Sequence, residues 1–201
     1  MDSNFLSDEE VKKIGLKKVG ENVLIHPLVN FVGPERISLG SNVRIDPFVS
    51  ITVGSSGYVT MGDHIHIGSF VNLAGGCGIL LEDFVGLSQG VKIYSSSDDF
   101  SGDYLTGPTV PESTRRISSS PIRIGKHVVV GSGSVVLPGV EIGCGSCVGS
   151  LSLVKHDLDE WGMYVGVPVK CIRPRSKKLL ELEQSLLAEE ILTEYSIVEK
   201  I

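Results

Sequence analysis

Counting back from Val154 in steps of six meets Val148, Ile142, Val136, Val130 and Ile124, every one aliphatic. The residues two places before these anchors are Ile122, Val128, Ser134, Val140, Ser146 and Ser152, all small or β-branched. Upstream the beat resumes in Leu81, Leu87 and Ile93, in Met61, Ile67 and Leu73, in Leu39, Ile45 and Ile51, and in Ile25 and Phe31. A helix would repeat at about 3.6 residues and an ordinary strand at about 2. Period six describes a short strand, a turn and another short strand, and three such units close a triangular coil. Both apolar positions of each hexad point into the prism and the residue between them points out. Successive coils stack at about 4.8 Å, each burying its side chains only against its neighbours. The predicted fold class is all-β, a solenoid of hexapeptide repeats.

The interruptions set the register. Two extra residues separate Phe31 from Leu39, four separate Ile51 from Met61, two separate Leu73 from Leu81, and twenty-five separate Ile93 from Ile124. With the anchors grouped in threes, every insertion falls at the same corner of the triangle. Long loops in compact domains are usually functional or disordered, so the protruding loop 94–121 marks a built site. The ends read as separate elements. Within residues 1–22, Ser7 and Glu10 form a capping box, Leu6 can staple onto Val11, and Gly15 can end a short helical cap. The repeat domain then runs over 23–172. The tail, 173–201, predicts a C-terminal helix with Leu179, Leu182, Leu186 and Leu187 on one stripe, suited to packing or assembly.

Charge narrows the partners. Eighteen Lys and Arg stand against 24 Asp and Glu, a formal net charge of −6, which argues against a nucleic-acid ligand. The opening MDSNFLSDEE is acidic and has no apolar run, and no stretch approaches the roughly 18 apolar residues of a membrane span. A cytoplasmic protein without a membrane span is expected. Cys144 and Cys147 form a single CxxC inside the repeat, with no second CxxC or suitably spaced His pair. They are read as small side chains on a tight coil, and no metal is expected.

The hexads, the IHIG at 65–68 and the run VVLPGVEIG…GSLSLV…VGVPVKCIRPR together resemble the hexapeptide-repeat acyltransferases, in their sugar and xenobiotic acetyltransferase branch. The likeness extends over about residues 23–175. It implies a left-handed parallel β-helix, a homotrimer, and acetyl-CoA as co-substrate between neighbouring subunits. It places backbone contacts to acetyl-CoA at Ser132 and Ser150 and side-chain contacts at Lys155, His156, Lys170 and Arg173. Lys155, Lys170, Arg173 and Arg175 stand where the solenoid ends, against an acidic background, and suit phosphate.

Galactoside- and maltose-type relatives carry a catalytic His five residues beyond the Ile93 anchor. Here the same count lands on Asp98, followed by Asp99. A carboxylate of ordinary pKa near ~3.9 is a poor base at neutral pH. Three answers stay open. Asp98 and Asp99 could raise one another's pKa, or the outward-pointing His66 could be the base, or the acceptor is an amine that needs less help. The three-histidine zinc site of carbonic-anhydrase-like relatives is not recognisable in these spacings. The function implied is transfer of an acetyl group from acetyl-CoA to a hydroxyl or amino group of a sugar, in surface polysaccharide or lipopolysaccharide precursor synthesis. The acceptor would sit under the 94–121 loop, whose Ser95, Ser96, Ser97, Ser101 and Asp103 suit a hydroxyl-rich ligand. A xenobiotic (antibiotic) O-acetyltransferase and a solenoid scaffold without chemistry are the alternatives.

Overall fold

Three parallel sheets form the sides of a triangular prism in the computed structural model, which describes residues 4–198, with side chains to residue 190. The outermost three residues at each end, part of the predicted helical segments, lie outside the described residues. The first face stacks Leu24–Ile25, Arg44–Ile45, His66–Ile67, Gly86–Leu87, Val129–Val130, Cys147–Val148, Gly162–Gly166 and Val169–Pro174. The second stacks Asn30–Val32, Ser50–Thr52, Asn72–Ala74, Lys92–Tyr94, Val135–Val136 and Leu153–Val154. The third stacks Ile37–Ser38, Val59–Met61, Ile79–Leu81, Ile122–Ile124 and Glu141–Ile142. The register follows the anchors: Ile25 pairs with Ile45, Ile45 with Ile67, Ile67 with Leu87, Leu87 with Val130, and Val130 with Val148.

Every anchor but Phe31 is buried, and the most exposed of those buried, Val148, shows only 3% of its surface. Towards the end of the solenoid Ser134, Ser146 and Ser152 take inward positions and are also buried. Their hydroxyls are satisfied by the backbone: Ser134 donates to the carbonyl of Gly149 at 2.9 Å and Ser146 to that of Asp159 at 2.6 Å. Buried hydroxyls with partners cost little, so they narrow the prism without destabilising it. All four insertions leave from the corner between the second and third faces, as the sequence predicts.

Helix α1 (Asp8–Ile14) covers the first coil. Ser7 and Glu10 form the reciprocal capping box, Gly15 ends the helix in the left-handed conformation, and Val11 is buried. Helix α2 (Leu179–Val198) lies along the corner between the third and first faces. That corner carries a ladder of left-handed residues, Asn22, Asn42, His64, Phe84 and His127, with φ from 53° to 62°. The rings stack, His64 on Phe84 at 4.6 Å and Phe84 on His127 at 5.0 Å. The helix meets this ladder with acids. Glu183 pairs with Lys126 at 2.5 Å and with His127 at 2.9 Å, and Glu190 lies 3.4 Å from His64. From Glu183 to Glu190 the helix rises about 10.5 Å, and from His127 to His64 is two coil spacings, about 9.6 Å. Of the leucine stripe expected from the sequence, Leu186 and Leu187 line the cleft between α2 and the ladder, whereas Leu182 points away and is 66% exposed.

Burial pushes the Glu183 carboxyl up, but hydrogen bonds and charge from Lys126 and His127 outweigh it and hold the carboxyl below its ordinary value. A carboxyl held low in the folded chain contributes stability that is complete above the unfolded value, 4.5, and is lost as pH falls through the lowered one. Glu183→Gln should therefore loosen α2 by about 1–3 kcal/mol at neutral pH. Hydrogen exchange of α2 is the measurement. Its protection should fall in the native chain on acidification below 4.5 and respond less in the variant.

Candidate active site

The longest insertion is a folded arm. Ser96–Asp98 pairs antiparallel with Ile117–Ser119, placing Asp98 opposite Ile117, and Ser119 donates to the Ser96 hydroxyl at 3.0 Å. Between the arm and the second face lies a pocket of about 630 Å³. Its polar side comes from Ser96, Ser97, Asp98 and Ser118, its apolar side from Tyr94, Phe100, Val135, Leu137 and Pro138, and Lys155 closes one end. Asp98 Oδ2 accepts a bond from the Gly107 N–H at 3.3 Å. Its other oxygen has no partner among the described residues, so a carboxylate oxygen is free at an apolar-walled pocket. A larger cleft of about 710 Å³ runs under α2, but Asp63 and Asp83 there are engaged by the backbone N–H groups of Ser41 and Asp63.

Asp99 is placed differently from Asp98. It is half-buried like Asp98, but its carboxylate accepts from both the hydroxyl and the N–H of Ser101. These bonds hold its pKa below the ordinary range, opposite to the mutual raising that a coupled pair would give. His66 points outward from the first face and its Nε2 lies 2.9 Å from Asp46, which also binds Arg44 at 2.8 Å. Partial burial pushes Asp46 up, yet the bonds from Arg44 and His66 hold it below its ordinary value. His66 and the arm therefore stand on different parts of the prism.

A second feature was not singled out by the sequence reading. The corner between the first and second faces carries Leu28, Phe48, Phe70 and Leu151, each more than half exposed, in one column. Gly90 and Gly133 occupy the same turn position between Phe70 and Leu151. The backbone there is left-handed at every rung from Phe48 on, φ running from 55° to 70°, so conformation does not itself demand glycine. What glycine gives is room. At Gly90 an added Cβ would meet only the Gly133 backbone, at 3.8 Å, which leaves a notch beside Ser88, whereas the Leu151 side chain lies over Gly133. The signal in the sequence was two glycines interrupting a column of large apolar residues.

The residues expected to hold coenzyme fall in three places. Ser132 and Ser150 are exposed on this notched corner, while Lys155 and His156 are exposed at the corner of the arm. Lys170 and Arg173 are exposed on the last strand, which folds back antiparallel on Gly162–Gly166. Only Lys155 shares the pocket of Asp98. Arg175 is spent structurally: its Nη1 donates to the carbonyls of His127, Gly145 and Ser146 at 2.7, 2.9 and 3.2 Å. Cys144 and Cys147 are free thiols, one at a corner and one facing outward on the first face. No helix among the described residues is long and apolar enough to cross a membrane, and no group of metal-ligating side chains is found among them.

The architecture, a hexapeptide solenoid with a pocket under one arm, has close counterparts. The chain is 42% identical over 179 residues to a dTDP-4-amino-4,6-dideoxy-D-glucose acyltransferase of Escherichia coli, covering 89% of this chain and 93% of the relative. It is 41% identical to AntD, an N-acyltransferase from Bacillus cereus solved with dTDP and 3-hydroxybutyryl-CoA, with a TM-score of 0.89 over 93% of this chain and 98% of that one. A putative lipopolysaccharide biosynthesis O-acetyl transferase, WbbJ of Escherichia coli, is 30% identical over 139 residues, 69% of each chain. No protein-family model matches the chain. The chain belongs to the hexapeptide-repeat sugar acyltransferases. It is an acyl-CoA-dependent enzyme, with acyl-CoA as co-substrate.

Proposed function

We propose that this enzyme N-acylates an amino sugar carried on a nucleotide. One observation carries the reading. Among the AntD structures, one serine and one aspartate ten residues after it have been substituted, and bound ligands include dTDP-4-amino-4,6-dideoxyglucose. Ser88 and Asp98 are the one Ser–Asp pair of this chain with that spacing. Asp98 lies at the pocket under the arm and Ser88 beside the glycine notch.

In this reading Asp98 first binds the sugar ammonium. The ammonium releases one proton to water, and the neutral amine attacks the thioester carbonyl carbon. The C–S bond breaks, and the nitrogen's surplus proton passes through Asp98 to the departing thiolate, leaving an amide and free coenzyme A. A backbone N–H near Ser132 steadies the carbonyl oxygen as it becomes an oxyanion. Ser96, Ser97 and Ser118 face sugar hydroxyls. Ser132, Ser150, Lys155, His156, Lys170 and Arg173 hold the coenzyme, the basic members taking its phosphates. The protein works as a homotrimer. A second copy packed on the exposed Leu28–Phe48–Phe70 column would cover it and bring another arm towards Ser88. The reaction is cytoplasmic and feeds surface-sugar synthesis.

The His66–Asp46 pair favours a second reading. A histidine oriented by a carboxylate is a suitable base for a hydroxyl acceptor, with Nδ1 the free nitrogen when Nε2 donates to Asp46. The two separate by product. The chain is incubated with dTDP-4-amino-4,6-dideoxyglucose or its 4-hydroxy counterpart, with acetyl-CoA and 3-hydroxybutyryl-CoA in turn, and products are read by mass spectrometry. Amide formation on the amino sugar is expected with at least one donor. Transfer to the hydroxyl sugar alone would overturn the first reading, and coenzyme binding without transfer to either would favour a scaffold.

A further inference from the structure

Arg115 holds a position in the arm that ordinary loop packing does not explain. Its Nε is buried and has no hydrogen-bond partner, and no carboxylate lies within ion-pair distance of its side chain among the described residues. A partly buried cation without a counter-charge is costly to keep. Its Nη1 makes one bond, donating to the Gly107 carbonyl at 3.3 Å. The N–H of the same Gly107 donates to Asp98 Oδ2 at 3.3 Å. The two bonds use the two different peptide units that flank the Gly107 Cα, so the link from guanidinium to carboxylate is positional: Arg115 holds the carbonyl side of a residue whose N–H side holds Asp98.

Gly107 is suited to the middle place. Its φ of 83° lies in the left-handed region, and an added Cβ would meet nothing within 4 Å. Glycine is required here by the backbone conformation, and that conformation turns the N–H to Asp98 and the carbonyl to Arg115. The neighbouring cation is used otherwise, since Arg116 lies over the Tyr104 ring at 5.8 Å. The bridge between Leu105 and Arg115 and the bond from the Leu105 N–H to the Thr114 carbonyl at 2.9 Å tie the two segments together.

We infer that Arg115 is a positioning residue that acts through Gly107 to fix the Asp98 carboxylate, leaving one carboxylate oxygen directed to the acceptor amine. This rests on the reading of Asp98 as the group that binds the amine and takes its proton. The test is a double-mutant cycle with dTDP-4-amino-4,6-dideoxyglucose and the acyl-CoA that serves as donor. Arg115→Ala should lower kcat about tenfold, since misplacing a reacting group by about 1 Å can cost up to 10²-fold. The KM for acyl-CoA and the thermal midpoint should stay unchanged, and the pH–rate profile should shift. In the Asp98→Asn background, Arg115→Ala should add nothing further. Arg115→Lys, which keeps the charge and can reach one carbonyl, should restore part of the rate.

A multiplicative loss in the double variant would overturn the inference while leaving Asp98 in place. Native kcat in Arg115→Ala would do the same. Native turnover in Asp98→Asn would sink the reading of Asp98 and this inference with it. Should Arg115→Ala fail to fold, Gly107→Ala breaks the same link by backbone strain and is expected to show the same non-additivity.

Discussion

Val130→Asp is expected to abolish the cooperative thermal transition of the chain. Val130 is fully buried on the first face, with Leu87 in register on one side and Val148 on the other. The prism around it is lined by aliphatic side chains, so a carboxylate placed there finds no donor. Burying an uncompensated charge, or neutralising it by a raised pKa, costs several kcal/mol. Domains of this kind are stable by only about 5–15 kcal/mol. The solenoid adds a second loss, since each coil buries its apolar side chains against its neighbours and a broken coil exposes both. Val129→Asp is the control, because Val129 points outward and surface changes stay within about 0.5 kcal/mol. A native-like melt of Val130→Asp by circular dichroism would contradict the inward register.

Asp98→Asn should lose turnover by about a hundredfold while keeping its fold and acyl-CoA affinity. The amide keeps the shape of the carboxylate but cannot take a proton. A general base contributes about 10²–10⁴-fold, and the low end is expected because a neutral amine attacks a thioester with less help than a hydroxyl. The native rate should also rise with pH as the acceptor ammonium deprotonates. Asp99→Asn should be mild, since its carboxylate is occupied by Ser101. Steady-state kinetics on the true acceptor decide the matter. Native turnover in both variants would remove the arm carboxylates from the mechanism, and a loss confined to His66→Ala would move the base to the first face.

The solenoid was legible because its rule is strict. A single coil type repeats, and a polar residue at an anchor such as Ile67 or Val136 would face a closed prism. The corner of the insertions followed from counting alone. The capping box at Ser7 and Glu10 was legible because its chemistry is local. The internal structure of the arm was not, because Ser96–Asp98 and Ile117–Ser119 show no alternation of apolar residues, and their pairing is backbone hydrogen bonding across a polar hairpin. The Asn–His–Phe ladder was missed for another reason. A period-six reading follows side chains that point inward, whereas these residues are set by a left-handed backbone at a corner. Missing the ladder also left out the polar half of the α2 contact: beside Leu186 and Leu187, the surface offers Lys126, His127 and His64, which Glu183 and Glu190 meet. Asp98 was singled out by its distance from Ile93, while Ser88 and the glycine notch needed the neighbouring rungs to be seen side by side.

The helix laid along the ladder makes the molecule a vernier. One scale advances about 4.8 Å per coil and the other about 5.4 Å per helical turn. They agree to within about 1 Å over the two coils between His127 and His64, and over that distance the helix contact face rotates by only about 20°. Each added coil would widen the mismatch. Duplicating one repeat between His64 and His127 would move His64 a full graduation away from Glu190 while leaving Glu183 in place. The tail thus gauges the solenoid, and a lengthened prism would need a re-spaced helix as well as one more coil.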